Sequence, residues 1–175
     1  MEREVRGAGR VIENPVSGER IVIRRSGAET GGALLAFDLF LPPGAHVPAR
    51  HVHPEQEERF TVLEGRMRFR VGRRRLLASA GETVAVPRGT AHWFGNDGPD
   101  PAHALVEVRP ALRMQELFET SEAMGAAGRL PGTRWPHPFE LAAFLLEFQR
   151  ELAVPGVPRR PLRALLAPLA RLAQR

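Results

Sequence analysis

The chain has 175 residues, 43% of them hydrophobic, so it is long and apolar enough to bury one core and falls outside the disordered and fibrous classes. It has no cysteine and no tyrosine, and all 25 residues of its lysine-plus-arginine count are arginine. Thiol nucleophiles, disulfides, zinc fingers, iron–sulfur ligation, Schiff bases, a Walker A lysine and a tyrosine base are thereby excluded. The formal charge of +5 is carried by guanidinium groups with no neutral form near physiological pH, and any metal ion has to be held by histidine and carboxylate.

The N-terminal run Met1 to Gly7 has no apolar stretch of the kind a signal peptide needs, and no apolar run approaches the roughly 18 residues of a membrane span, so a cytoplasmic protein without a membrane partner is expected. From Arg10 to about Arg109 the chain reads as short β-rich runs: Glu19 to Arg25, Ala33 to Leu41, Glu58 to Glu64, Arg66 to Val71, Glu82 to Val86, His92 to Phe94 and Ala102 to Arg109. Turn clusters separate them, among them Asn14-Pro15-Val16-Ser17-Gly18, Thr30-Gly31-Gly32, Glu64-Gly65 and Asn96-Asp97-Gly98-Pro99. Short strands at such spacing predict an antiparallel sandwich or barrel.

After Pro110 the period changes from two to that of a helix. A short helix around Leu112, Gln115, Leu117 and Phe118 is expected to end before Gly125, and a second is expected from Pro138 through Leu152, with a broad apolar face that includes Phe139, Ala142, Leu145 and Phe148. A last, basic helix carries the stripe Leu162, Leu165, Leu166, Leu169 and Leu172, with Pro168 expected to kink it and Arg160, Arg163, Arg171 and Arg175 beside the stripe. Residues 1–110 are thus read as a β-barrel domain and 111–175 as a helical extension packed on the barrel or on a dimer partner. A homodimer is expected because an open sheet edge and an apolar helix both need cover.

The chemistry concentrates in His51-Val52-His53-Pro54-Glu55-Gln56-Glu57-Glu58. Residues i and i+2 of a strand share a face, so His51 and His53 can point at one ion, and Glu58, in phase with Phe60 and Val62, offers a carboxylate to the same interior. Glu55 and Glu57 are read as solvated turn charges. Further on, Pro87 and Gly89 make a tight turn that re-aims the chain at His92. His46, His103 and His137 have no partner at ligand spacing and are assigned no chemistry. Arg66, Arg68 and Arg70 alternate with Met67, Phe69 and Val71, so the arginines face outward. With Arg73, Arg74 and Arg75 they form a basic hairpin that lacks the exposed, interleaved aromatics of a nucleic-acid surface.

At these residues the sequence resembles the cupin superfamily, whose two motifs are G(x)5HxH(x)3-4E(x)6G and G(x)5PxG(x)2H(x)3N. Gly81, Pro87, Gly89, His92 and Asn96 match the second throughout; His51, His53, Glu58 and Gly65 fit the first, with six residues rather than five between Gly44 and His51. The resemblance spans roughly residues 33 to 109 and says little about the helices. It implies a mainly β fold, the double-stranded β-helix or jelly-roll barrel, with a C-terminal helical appendage. It also implies a divalent metal ion (iron, manganese, nickel, copper or zinc) held by His51, His53, Glu58 and His92. Gly65, Gly81 and Asn96 would serve turns.

Four protein ligands on an octahedral ion leave two positions open, for a substrate with water or dioxygen. Phe60, Val62, Met67, Phe69 and Phe94 are expected to line an apolar interior that binds the body of a small organic molecule. The expectation is a metal-dependent cupin enzyme of oxygenase or isomerase type; the alternative is a non-catalytic cupin that binds or senses a small ligand. No residue beyond the ligands is singled out as catalytic.

Overall fold

Nine strands and three helices follow one another along the chain in a computed structural model that describes residues 9–14, 17–47, 49–128 and 138–173. His137 and part of the first turn cluster lie outside the described residues, as do the side chains of Arg160, Arg163, Arg171, Leu172 and Arg175. The strands are β1 (Val11–Glu13), β2 (Arg20–Arg25), β3 (Leu35–Leu41), β4 (Glu57–Glu64), β5 (Arg66–Val71), β6 (Arg74–Ser79), β7 (Thr83–Val86), β8 (His92–Gly95) and β9 (Ala102–Arg109). The helices are α1 (Met114–Ala126), α2 (Pro138–Glu147) and α3 (Arg159–Ala173). A six-stranded sheet in the order β1-β2-β3-β9-β4-β7 faces a three-stranded sheet in the order β6-β5-β8, every pair antiparallel, which is the jelly-roll barrel that the resemblance implies.

Period two decides what goes inside. In β4, Glu58, Phe60 and Val62 are buried while Glu57, Arg59 and Glu64 are exposed; in β5, Met67 and Phe69 are buried while Arg66, Arg68 and Arg70 stand in solvent. Phe60, Met67, Phe69, Leu39 and Leu41 are all at most 2% exposed, and each contributes on the order of 1.5–3 kcal/mol by leaving water. Phe60 meets Phe69 edge-on at 5.2 Å and Phe94 at 4.8 Å, fixing the two sheets face to face. Asn96, fully buried, closes the turn after β8: its Nδ2 donates to the carbonyls of Leu41 (3.0 Å) and Asp100 (2.8 Å), and its Oδ1 accepts from Gly98 N (2.9 Å). At Gly65, φ is +72° and a Cβ would lie 2.6 Å from the Pro101 carbonyl oxygen, so only glycine fits this turn.

Two strands lie outside the runs expected from alternation. β6 is an edge strand in which only Ala78 is fully buried, so pairing with β5 rather than a hydrophobic period defines it; β1 is a three-residue strand held by β2. Two helix ends also differ. α1 runs through Gly125, which is buried, and stops before Gly128 at φ +71°, so the terminating glycine is the later one. α2 ends at Glu147, not Leu152, because residues 148–153 turn back to pair with the barrel: Val52 N donates to the Ala153 carbonyl (3.0 Å) and Ala153 N to that of Val52 (2.9 Å). α3 continues through Pro168 and packs on α2.

Candidate metal centre

The two segments that carry the histidines are tied together backbone to backbone. His51 N donates to the His92 carbonyl (3.0 Å) and His92 N to that of His51 (2.8 Å), placing the rings opposite one another, 4.3 Å between centroids. Gly89 N donates to the His53 carbonyl at 2.8 Å, so the Pro87–Gly89 turn grips the other histidine of the pair. Between His53 and Glu58 the fully buried Gln56 donates from Nε2 to the carbonyls of Pro110 and Ala111, both at 3.0 Å, and so fastens the loop to the exit of β9. Glu58 then enters β4 opposite Val86 and Val108.

One ligand atom from each of His51, His53, Glu58 and His92 falls within 4.8 Å of all the others. Every Nδ1 is engaged by a backbone carbonyl: that of His51 by Ala49 (3.0 Å), of His53 by Glu151 (2.5 Å) and of His92 by Thr90 (3.1 Å). Those acceptors fix the proton on Nδ1 and turn each Nε2 lone pair inward, as outer partners of metal-ligating histidines do. Glu58 Oε2 lies 3.0 Å from His92 Nε2 and 3.4 Å from His53 Nε2, yet it and His92 Nε2 are buried without a hydrogen-bond partner of proper geometry. Lone pairs converging in a buried space repel one another until a cation stands between them. This donor set fits a divalent ion of the nitrogen- and oxygen-binding kind.

The electrostatics agree. Burial, reinforced by the neighbouring His53 and His92, pushes the His51 imidazole down to about 3, so it is neutral and ready to ligate. Burial opposes a charge on Glu58, but His53 and His92 beside it hold its carboxyl well below the usual carboxylate range. Burial likewise opposes a charged His53, and the Glu58 carboxylate with the Glu151 carbonyl overcomes it and raises that imidazole's pKa.

A cavity of about 280 Å³ opens from His51, His53 and Glu58. Phe60 and Phe94 line it; Val62, Met67 and Phe69, expected beside them, are buried in the core and are not among the described lining residues. Much of the wall comes instead from the helices, through Met114, Leu117 and Phe118 of α1, Phe144 and Leu145 of α2, and Leu152 beyond it. Periodicity within the barrel gives no access to these contacts. It also misses Glu151, because a backbone carbonyl serving His53 leaves no trace in residue type. Glu19 escapes the reading too, although it stands two residues before Ile21, in phase with that strand's buried face, and lines the cavity. His46 is exposed and bonds its own neighbour's carbonyl, while His103 pairs at 2.7 Å with the fully buried Asp38 on the other side of β3, where Arg24 completes the pair.

The family model for the Cupin domain matches residues 38–108. Germin-like protein 1-3 of Oryza sativa subsp. japonica is 28% identical over 134 residues, 74% of this chain and 59% of that protein, so the chain spans about three-fifths of that curated relative's length. A predicted oxalate decarboxylase of Thermotoga maritima superposes with a TM-score of 0.53 at 23% identity, covering 62% of this chain and 96% of the other. The TT1209 protein of Thermus thermophilus is 30% identical over 45% of this chain and 74% of its own, with a TM-score of 0.43. Among the described residues no helix is long and apolar enough to cross a membrane.

Proposed function

The chain belongs to the cupin superfamily, and on that premise we propose that it is a metal-dependent enzyme of oxygenase or isomerase type acting on a small organic molecule held in the barrel cavity. One observation carries the reading: three imidazoles, each with its Nδ1 held by a backbone carbonyl, and one carboxylate bring one ligand atom apiece to within 4.8 Å of one another beside an apolar cavity, with Glu58 Oε2 and His92 Nε2 buried and unpartnered. His51, His53, Glu58 and His92 would hold the ion. When bound, it supplies Lewis-acid or redox chemistry at positions the protein leaves open.

The chain's own residues do the rest. Apolar side chains of the barrel and of α1 and α2 take the body of the substrate and exclude water, which strengthens every polar contact inside. The Nδ1 carbonyl partners keep the imidazoles oriented while the substrate exchanges. Reloading the protein separately with iron, manganese, nickel, copper and zinc, then assaying diketones, phenolics, keto acids and sugar phosphates, tests the reading. Turnover that is lost with His92→Ala supports it. Saturable binding without turnover, for every metal, identifies a non-catalytic ligand-binding cupin instead.

A further inference from the structure

The metal ligands account for three of the polar groups on the cavity wall and leave one carboxyl without a task. Glu19 stands one residue before β2, in phase with Ile21, and lines the same cavity as His51, His53 and Glu58. The β1–β2 hairpin fixes it twice: Asn14 N donates to the Glu19 carbonyl at 2.9 Å, and Asn14 Nδ2 donates to its Oε1 at 3.2 Å. The charged or titratable groups that share the described wall are Arg50, His51, His53 and Glu58; α1 contributes only Ser121 besides apolar groups, and α2 contributes apolar groups alone. Arg50 is committed to the carbonyls of Gly72 (2.5 Å) and Ala91 (3.4 Å), and the other three to the ligand cluster.

Among the described residues, then, Glu19 is the cavity's one carboxyl outside the ligand set, and it sits in surroundings that favour its neutral form. Burial, with the negative charge of Glu58 adding to it and the Asn14 hydrogen bond opposing it, pushes the Glu19 carboxyl up to about 7. A carboxyl on the cavity wall whose pKa is raised toward neutral pH is suited to take a proton and give it back.

We propose that Glu19 is the catalytic acid–base of this cavity, moving one proton between carbon atoms, or within one carbon, of a bound carbonyl compound with an apolar body. The inference rests on the metal-enzyme reading and, within it, selects isomerisation. As a carboxylate, Glu19 takes a proton from the carbon beside the carbonyl; the C–H electron pair becomes the carbon–carbon π bond of an enolate, and the carbonyl π pair moves to oxygen. As a carboxylic acid, it returns the proton as the enolate collapses. Atoms and electrons balance with no oxidant or reductant. Asn14 is the positioning residue, holding Oε1 so that the carboxyl faces the ligand.

The test uses the 175-residue chain reloaded with manganese or zinc, and 1-phenylpropan-2-one in D2O, with the loss of its α-hydrogen signal followed by proton NMR. Wild type should exchange those hydrogens at a rate that rises with pH through the Glu19 titration, and Glu19→Gln should lower the rate by about 100-fold or more with metal content unchanged. Carbon-13 NMR of glutamate-labelled, metal-free protein gives a readout independent of turnover: a carboxyl resonance titrating near pH 7 that disappears in Glu19→Gln. Asn14→Ala keeps the carboxyl and removes its donor, so the titration should move to higher pH. A metal-loaded wild type that exchanges no faster than free metal, equal rates in wild type and Glu19→Gln, or a midpoint unmoved by Asn14→Ala would overturn the assignment and leave the metal-enzyme reading standing. A wild type that takes up no metal overturns both.

Discussion

Two regions meet at the candidate site and contribute to it in different ways. The barrel segments 51–58 and 87–92 supply the four candidate ligand atoms, and they do so through local spacing: an i, i+2 pair of histidines, a carboxylate in strand phase, a turn that re-aims the next histidine. Residues 138–154 supply no ligand atom. They close the cavity with Phe144, Leu145 and Leu152, pair Ala153 with Val52, bridge Arg150 to Glu55 at 2.8 Å and place the Glu151 carbonyl on His53 Nδ1. The Glu151 side chain, itself buried, accepts from Arg113 N at 3.2 Å, and the Arg113 guanidinium lies 5.0 Å over the Phe148 ring, so the start of α1 locks the same segment. A ligand set is a property of residue type and spacing, whereas the shell that orients it is a property of packing.

That contrast can be broken or sharpened by substitution. The largest effect is expected at the ligands: His51→Ala, His53→Ala or His92→Ala should each lower metal affinity by more than about 100-fold, beyond what the loss of an outer partner costs, while His46→Ala and His103→Ala leave affinity unchanged in isothermal titration. Glu58→Gln should weaken the ion with the circular dichroism spectrum intact, and Glu57→Gln, one residue out of phase and exposed, should do neither. Deleting the chain from Pro138 onward should lower metal affinity about 10–100-fold by removing the carbonyl on His53 and cause aggregation as core surface is uncovered. If the truncated protein binds metal as tightly as the full chain, the tail has no orienting role.

Smaller effects separate packing from presence. Phe148, 1% exposed, should cost about 3–5 kcal/mol in urea unfolding when changed to Ala; Leu165 on α3, 69% exposed, should change stability by less than about 0.5 kcal/mol. The pH dependence of the metal-free protein supplies the finest probe. The Glu19 pKa is raised from 4.5 to about 7, so between those values the folded state binds the extra proton and stability falls as pH rises, reaching its floor above pH 7. Glu19→Gln removes this slope, and the variant should therefore gain on wild type in thermal melts at pH 8 relative to pH 5.

The sequence made the barrel and the four converging residues legible because both follow short-range rules. β4 and β5 alternate cleanly, and Gly81, Pro87, Gly89, His92 and Asn96 sit at fixed separations that the backbone turns require. β6 was not legible because its pairing with β5, not a buried face, makes it a strand. The C-terminal end of α2 was not legible because tertiary hydrogen bonds to Val52 and His53 outweigh the helical propensity of residues 148–152. Glu19 carried a readable signal, a carboxylate in phase with the apolar residue Ile21, but its meaning depends on a cavity whose far wall is built by helices a hundred residues away.

The central claim, that His51, His53, Glu58 and His92 form one metal site, is tested most directly by elemental analysis of the purified protein after expression in metal-replete medium, with chelation followed by thermal melting. The account predicts about one divalent ion per chain and a melting temperature that drops on chelation and returns on reloading, since an ion that binds the folded state stabilises it. No stoichiometric metal, together with no thermal shift on adding manganese, iron, cobalt, nickel, copper or zinc, would contradict it.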